Sequence, residues 1–274
     1  MCTLDGCGSH DHLGPPPKAT DQERRLFLKG LAILPLAVVL ADPVLAHAAA
    51  STLKKVTVTA PTGETMIAEV ILPAKLPAPA VVLIHEWWGL NDQIRATAAE
   101  YAQQGYIALA VDLYGKPAAT TPNGAKSLMA SMDATAATAK MKASVAYLKD
   151  HKDCTGKVGV VGWCFGGGWS LNTALATDID ACVIYYGNVA KTPQQLATLN
   201  APVMGHFGTQ DQSINKAMVD GFEKSLKAAG KTDYQIFWYD ANHAFANPTG
   251  GRYDDANAVL AWQRTMNFFF EKLV

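Results

Sequence analysis

The sequence predicts an open α/β domain with a mostly parallel central sheet, an antiparallel N-terminal hairpin and helices on both faces. Three observations predict it. From Pro79 onward, short continuous apolar runs alternate with segments of helical period. Runs that are apolar on both faces suit a parallel sheet covered on two sides by helices. Before Pro79 the pattern is strict alternation around a turn, as in a hairpin. Finally, 49% of the 274 residues are hydrophobic and 17% charged, which is enough apolar material for one sizeable core.

Taken in order, Lys55–Thr59 and Thr65–Leu72 alternate around Pro61-Thr62-Gly63 and form the hairpin. The both-face runs are Ala80–Ile84, Tyr106–Val111, Val158–Gly162, Cys182–Tyr186, Val203–Phe207 and Tyr234–Trp238. Between and after them, helices are expected at Gln93–Gln103, Gly124–Asp150, Gly166–Ala176, Ser213–Ala229 and Tyr253–Lys272. Gly105 and Gly230 stand where helices end, since glycine adopts the left-handed conformation of a C-terminal cap. Residues 49–274 carry no internal repeat, low-complexity tract or linker, so they read as a single domain.

Residues 1–48 differ. A Gly-, Pro- and His-rich stretch leads to Glu23-Arg24-Arg25-Leu26-Phe27-Leu28-Lys29, then to an apolar run from Gly30 to Leu45 and to Ala46-His47-Ala48. A charged region, an apolar region and a small-x-small site are the parts of a secretory signal. The paired arginines resemble a twin-arginine export signal, with Glu23 where Ser or Thr is usual. The expectation is cleavage after Ala48, a periplasmic or exported product and the twin-arginine machinery as a partner. A run of this length, broken by Pro35, Asp42 and Pro43, is a poor spanning helix. Stable membrane insertion is therefore not expected after cleavage, and an uncleaved chain would be tethered. Cys2, Cys7, His10 and His12 lack the surroundings that hold metal ligands in place, so no metal is expected there.

The net charge is −1, and residues 49–274 carry none. Without a basic surplus to meet a phosphate backbone, nucleic acid is not an expected partner. Three of the five cysteines, Cys154, Cys164 and Cys182, remain after cleavage. Cys154 is expected in a turn and Cys182 buried in a strand. No Cys-x-x-Cys pair accompanies Cys164, which argues against a thiol redox protein.

In a parallel α/β sheet, ligands bind beyond the carboxyl ends of the strands. Glu86, Asp112, Cys164, Asp211 and His243 all follow apolar runs. Gly162-Trp163-Cys164-Phe165-Gly166 is a nucleophile-elbow pattern with cysteine in the serine position. On such a turn the following helix aims its positive end at the thiol and favours the thiolate. A thiolate needs a base and the base an orienter. His243 supplies the first and Asp211 the second, with Asp240 as the rival orienter. His206 and His85 read as core or outward-turned histidines, and His151 as a solvated one.

Together these motifs resemble the dienelactone hydrolase family over nearly the whole of residues 56–270. They are His85-Glu86-Trp87-Trp88-Gly89-Leu90-Asn91, Asp112-Leu113-Tyr114, the elbow, Tyr185-Tyr186-Gly187, Gly208-Thr209-Gln210-Asp211 and His243-Ala244-Phe245. The resemblance implies an α/β-hydrolase fold, no metal or organic cofactor, and a carboxylic ester hydrolase opening a lactone or small ester with water as co-substrate. It implies Cys164 as nucleophile, His243 as general base then acid, and Asp211 as its orienter. Glu86 matches the family glutamate near the resting thiol. The backbone N–H groups of Trp87 and Phe165 would form the oxyanion hole. The family's carboxylate-binding arginines are replaced by Lys116 and Asn247. Trp88, Tyr114, Lys116, Trp163, Tyr186, Phe245 and Asn247 are the expected pocket residues, and a neutral ester is the expected alternative substrate. A non-catalytic binding scaffold would have no use for the full Cys-Asp-His set.

Overall fold

The computed structural model describes residues 18–29 and 34–274. Cys2, Cys7, His10 and His12 lie outside the described residues. The strands are β1 (Lys54–Thr59), β2 (Thr65–Ile71), β3 (Ala78–Ile84), β4 (Ile107–Val111), β5 (Cys154–Trp163), β6 (Ala181–Tyr185), β7 (Val203–Gly208) and β8 (Tyr234–Tyr239). They form one sheet in the order β1-β2-β4-β3-β5-β6-β7-β8. β1 pairs antiparallel with β2, and β2 with β4; every other pairing is parallel.

The helices are α1 (Asp21–Leu28), α2 (Leu36–Ala41), α3 (Pro43–Ala50), α4 (Asp92–Gln103), α5 (Pro122–Ala130), α6 (Ala134–Lys149), α7 (Phe165–Ala176), α8 (Pro193–Leu196), α9 (Lys216–Ala228) and α10 (Asp255–Leu273). The helix expected over Gly124–Asp150 is thus two. Asp133 explains the break: its carboxylate accepts the N–H groups of Thr135 and Ala136 and caps the start of α6. β5 begins earlier than expected, so Cys154 opens a strand rather than sitting in a turn. A register shift separates its pairing with Ala78 from the regular ladder that starts at Ala80.

Successive strand residues serve opposite faces of the sheet. Val82, Ile84, Val158 and Val160 pack under α6, α7 and α9 with Met141, Leu171 and Phe222. Val81, Leu83, Val161 and Val183 pack under α4 and α10 with Ile94, Tyr101 and Phe269. This is why the strand runs are apolar throughout. A third, smaller cluster joins Val39, Leu40, Leu45, Ala46 and Ala49 of α2 and α3 to Ala96 and Ala99 of α4. Among the described residues, no helix is long and apolar enough to cross a membrane.

Candidate active site

The elbow is built at the carboxyl end of β5, in the middle of the sheet. Cys164 stands between β5 and α7 with φ 54° and ψ −114°, in a region that non-glycine residues seldom adopt. Its N–H donates to the Tyr185 carbonyl at 3.0 Å, and its carbonyl accepts from Gly168 N–H at 3.3 Å, tying the turn to β6 and α7. The flanking glycines let three backbones meet. A Cβ on Gly162 would stand 2.2 Å from the Gly166 carbonyl oxygen, and one on Gly166 2.2 Å from that of Ile84. Tyr186 and Ala244 are the other non-glycine residues with positive φ among the described residues. All three lie at this site, where strained backbone serves to aim side chains.

The thiol, imidazole and carboxylate form a chain. Cys164 Sγ lies 3.2 Å from His243 Nε2, and His243 Nδ1 lies 2.5 Å from Asp211 Oδ2. The three side chains come from the ends of β5, β7 and β8 and are all buried. Asp211 Oδ1 accepts the N–H groups of Ser213 and Ile214 at 2.8 and 2.9 Å. Burial pushes the Asp211 carboxyl upward. The hydrogen bond and charge of His243, with the two N–H donors, outweigh that and hold it below the usual aspartate range. Asp240 instead accepts from Thr209 Oγ1 and Gln210 Nε2, so Asp211 is the orienter by geometry.

Glu86 follows β3 and is buried. Its Oε2 accepts from Asn247 Nδ2 at 2.8 Å, and its Oε1 from the Tyr186 hydroxyl at 3.4 Å. The Tyr186 ring sits 5.2 Å from that of His243. Asn247 is therefore committed to Glu86. Phe165 opens α7, whose first N–H groups have no partner within the helix. Trp87 directly follows Glu86, and its indole N–H is buried with no hydrogen-bond partner among the described residues.

A cavity of about 410 Å³ opens on Cys164 and His243, with Phe165 and Tyr186 in its wall. The remaining expected pocket residues lie elsewhere. Lys116 is exposed, and its Nζ donates to Ser131 Oγ at 3.4 Å. The Tyr114 hydroxyl donates to the Trp87 carbonyl at 3.2 Å, and Trp88 packs on Trp87 with ring centroids 4.9 Å apart. Phe245 is buried between Tyr186 and Tyr239. Trp163 stacks on Tyr185 and lines a different cavity of about 450 Å³, between α4, α10 and Pro35–Val38.

The Cys164 cavity is completed by residues that the sequence motifs did not single out, among them Met129, Trp169, Asn172 and Lys191. Phe165, Gly168, Trp169 and Asn172 follow the i, i+3, i+4, i+7 spacing of one helix face, a signal readable once Phe165 is placed at the helix start. Lys191 lies in the segment that leaves the carboxyl end of β6, where the strand-end rule also applies. Among the described residues, no group of three His, Cys, Asp or Glu side chains could hold a metal ion.

A mostly parallel sheet with a strained elbow after its central strand, and partners beyond the next strands, defines the α/β-hydrolase class. Within that class the chain belongs to the dienelactone hydrolase family, whose pattern matches residues 66–273, and it is a hydrolase of that family. It is similar to the carboxymethylenebutenolidase of Pseudomonas putida, at 30% identity over 221 residues, 75% of this chain and 91% of that protein. Protein usf of Aquifex pyrophilus is 33% identical over 214 residues, 74% and 92% of the two chains. The crystal structure of a dienelactone hydrolase-like promiscuous phosphotriesterase from metagenomic libraries shares the fold. Its TM-score is 0.73 at 22% identity, covering 81% of this chain and all of that one.

Proposed function

We propose that the protein hydrolyses a lactone or small carboxylic ester through a Cys164 thioester. The observation that carries this reading is the unbroken relay of Cys164, His243 and Asp211, with contacts of 3.2 and 2.5 Å. His243 Nε2 takes the thiol proton, and Sγ attacks the carbonyl carbon. Asp211 fixes the imidazole so that Nε2 faces sulfur, and it stabilises the imidazolium that forms. The developing oxyanion is held by the N–H groups of Phe165 and Trp87, which match the tetrahedral state better than the planar ester. The carbon–oxygen bond to the leaving group then breaks, and His243 returns the proton to that oxygen. Water attacks the thioester, His243 takes its proton, the acid is released and the thiol is restored. Glu86, held by Asn247 and by Tyr186, whose ring packs on His243, is the residue assigned to controlling the ionisation of the resting thiol.

The test is turnover of 4-nitrophenyl acetate and of a lactone panel. Replacement of the nucleophile in such a triad removes about 10⁶ of the rate, so Cys164→Ala is expected to leave no measurable hydrolysis. Iodoacetamide should abolish turnover by the wild-type protein. Full activity in Cys164→Ala would overturn the assignment.

We also propose that residues 1–48 export the protein by the twin-arginine route. The support is Arg24-Arg25 followed by Leu26-Phe27-Leu28-Lys29 and the small residues before Ala49. Cell fractionation should find the wild-type chain in the periplasm beginning at Ala49. The Arg24→Lys, Arg25→Lys double variant should be retained uncleaved in the cytoplasm. Equal export of both would overturn the route.

A further inference from the structure

Among the described residues lining the cavity above Cys164, one is a lysine or arginine, and it is not at either position where the family carries an arginine. Lys116 is exposed against Ser131, and the Asn247 amide is spent on Glu86. Lys191, in the segment between β6 and α8, lines the same cavity as Cys164 and His243. It is half-buried. Among the described residues it makes no ion pair or hydrogen bond, and none of the residues lining the cavity is a carboxylate. Burial pushes its ammonium down from the usual lysine range, with no acid nearby to counter it. Asn172 of α7 lines the cavity as well, and its amide makes no hydrogen bond to another described residue. A half-buried cation and a neutral amide, both without partners in one cavity, are groups arranged to meet an anion. One ammonium balances one negative charge. That favours a carboxylate over a phosphate dianion, which would leave a charge uncompensated. Met129, Phe165, Trp169 and Ile214 give the wall an apolar part, beside the polar Asn188 and Ser213, and that part suits the carbon skeleton between such a carboxylate and the scissile bond.

We propose that Lys191, assisted by Asn172, is the specificity-determining residue of this site and selects esters or lactones that carry a carboxylate. The proposal rests on the hydrolase reading above and replaces a neutral substrate with an anionic one. It also relocates the anion contact from the Lys116 and Asn247 positions to the segment after β6.

The test compares probes that differ by one charge. 4-Nitrophenyl hydrogen glutarate and 4-nitrophenyl valerate place the contrast on the acyl side. 4-Acetoxybenzoate and phenyl acetate place it on the leaving-group side. The wild-type protein is expected to prefer the anionic member of one pair. A charge-assisted hydrogen bond is worth roughly 10- to 100-fold, so Lys191→Met should lose that much kcat/KM on the preferred anion, mainly through KM. Its kcat/KM on the neutral partner should stay within about threefold, the size of change expected when no interaction with substrate is lost. Lys191→Arg should restore part of the preference, and Lys116→Met should leave it intact. Equal losses on both members of a pair, or no loss on either, would overturn the role of Lys191. Absence of Cys164-dependent turnover on all four esters, anionic and neutral, would instead overturn the hydrolase reading itself, so the two failures are told apart.

Discussion

At the scale of single residues, the site is a set of close approaches that tolerate little change. Asp211 accepts two backbone N–H groups through one oxygen and His243 through the other. Asp211→Asn keeps the shape but presents an amide that can donate to Nδ1, which favours the tautomer with its proton on the sulfur side. In comparable triads this change costs about 10⁴ in kcat, and a similar loss with little change in KM is expected for the ester reaction. An unchanged kcat would mean that the imidazole is oriented by another group. Gly166→Ala drives a methyl group to 2.2 Å from the Ile84 carbonyl oxygen. Because that contact is with backbone, it cannot be relieved by a rotamer change. A loss of about 3 kcal/mol is expected in urea unfolding. Cys164, Asp211, His243 and Glu86 were legible because each comes within about five residues after an apolar run, and strand ends are where this architecture collects reactive groups. Asn247 was legible as a departure but not as the partner of Glu86, because that contact joins residues 161 positions apart. Lys191 carried no local motif at all. Its meaning comes from the cavity it shares with Cys164.

At the scale of elements, the sheet was readable because a strand buried on both faces must be apolar at every position. The exception is informative. His206 sits in β7, fully buried, with Nδ1 2.7 Å from the Tyr239 hydroxyl on β8 and Nε2 3.0 Å from Thr265 Oγ1 on α10. Tyr185 of β6 also meets Thr265, so this polar group bolts four elements together, β6, β7, β8 and α10. Loss of solvation on burial, with the charge of Arg264, pushes the His206 pKa down to about 3. The consequence for stability has a definite sign. Between that value and the ordinary histidine value of about 6.5, the unfolded chain binds a proton that the folded chain does not. Stability therefore falls as the pH is lowered through that window, by about 1.4 kcal/mol per pH unit from this group. His206→Gln should be less stable at pH 7, yet lose less stability between pH 6 and pH 5 in urea titrations. An unchanged slope would mean that His206 does not carry the dependence. The divided helix α5–α6 marks the limit of periodicity as a guide. Apolar spacing continues across Ser131-Met132-Asp133, and only the capping geometry of Asp133 shows that the axis is interrupted.

At the scale of the whole molecule, the N-terminal helices and the Cys164 cavity use different parts of the same scaffold. Leu45 and Ala46 are buried on α4, and α3 runs through Ala46-His47-Ala48, the stretch where cleavage is proposed. A protease reading an extended segment there requires α3 to leave α4 and unwind, so processing and docking exclude one another. The same segment roofs the cavity lined by Trp163 and Trp262 through Pro35–Val38. Among the described residues, none of this segment lines the Cys164 cavity, whose lining runs from Met129 onward. Removing residues 1–48 should therefore open the first cavity and leave the second unchanged. Acrylamide should quench the tryptophan fluorescence of the chain beginning at Ala49 more strongly than that of the full chain, as the two indoles meet solvent. Sites that share no partner couple by only a few tenths of a kcal/mol, so kcat/KM for a Cys164-dependent ester should stay within about twofold. The two readouts bear on separate claims. Unchanged quenching would mean that Pro35–Val38 do not cover Trp163 in solution. Lost hydrolysis would mean that α2 and α3, through α4, hold the site in its working geometry, and the segment would then be part of the enzyme and not only its address.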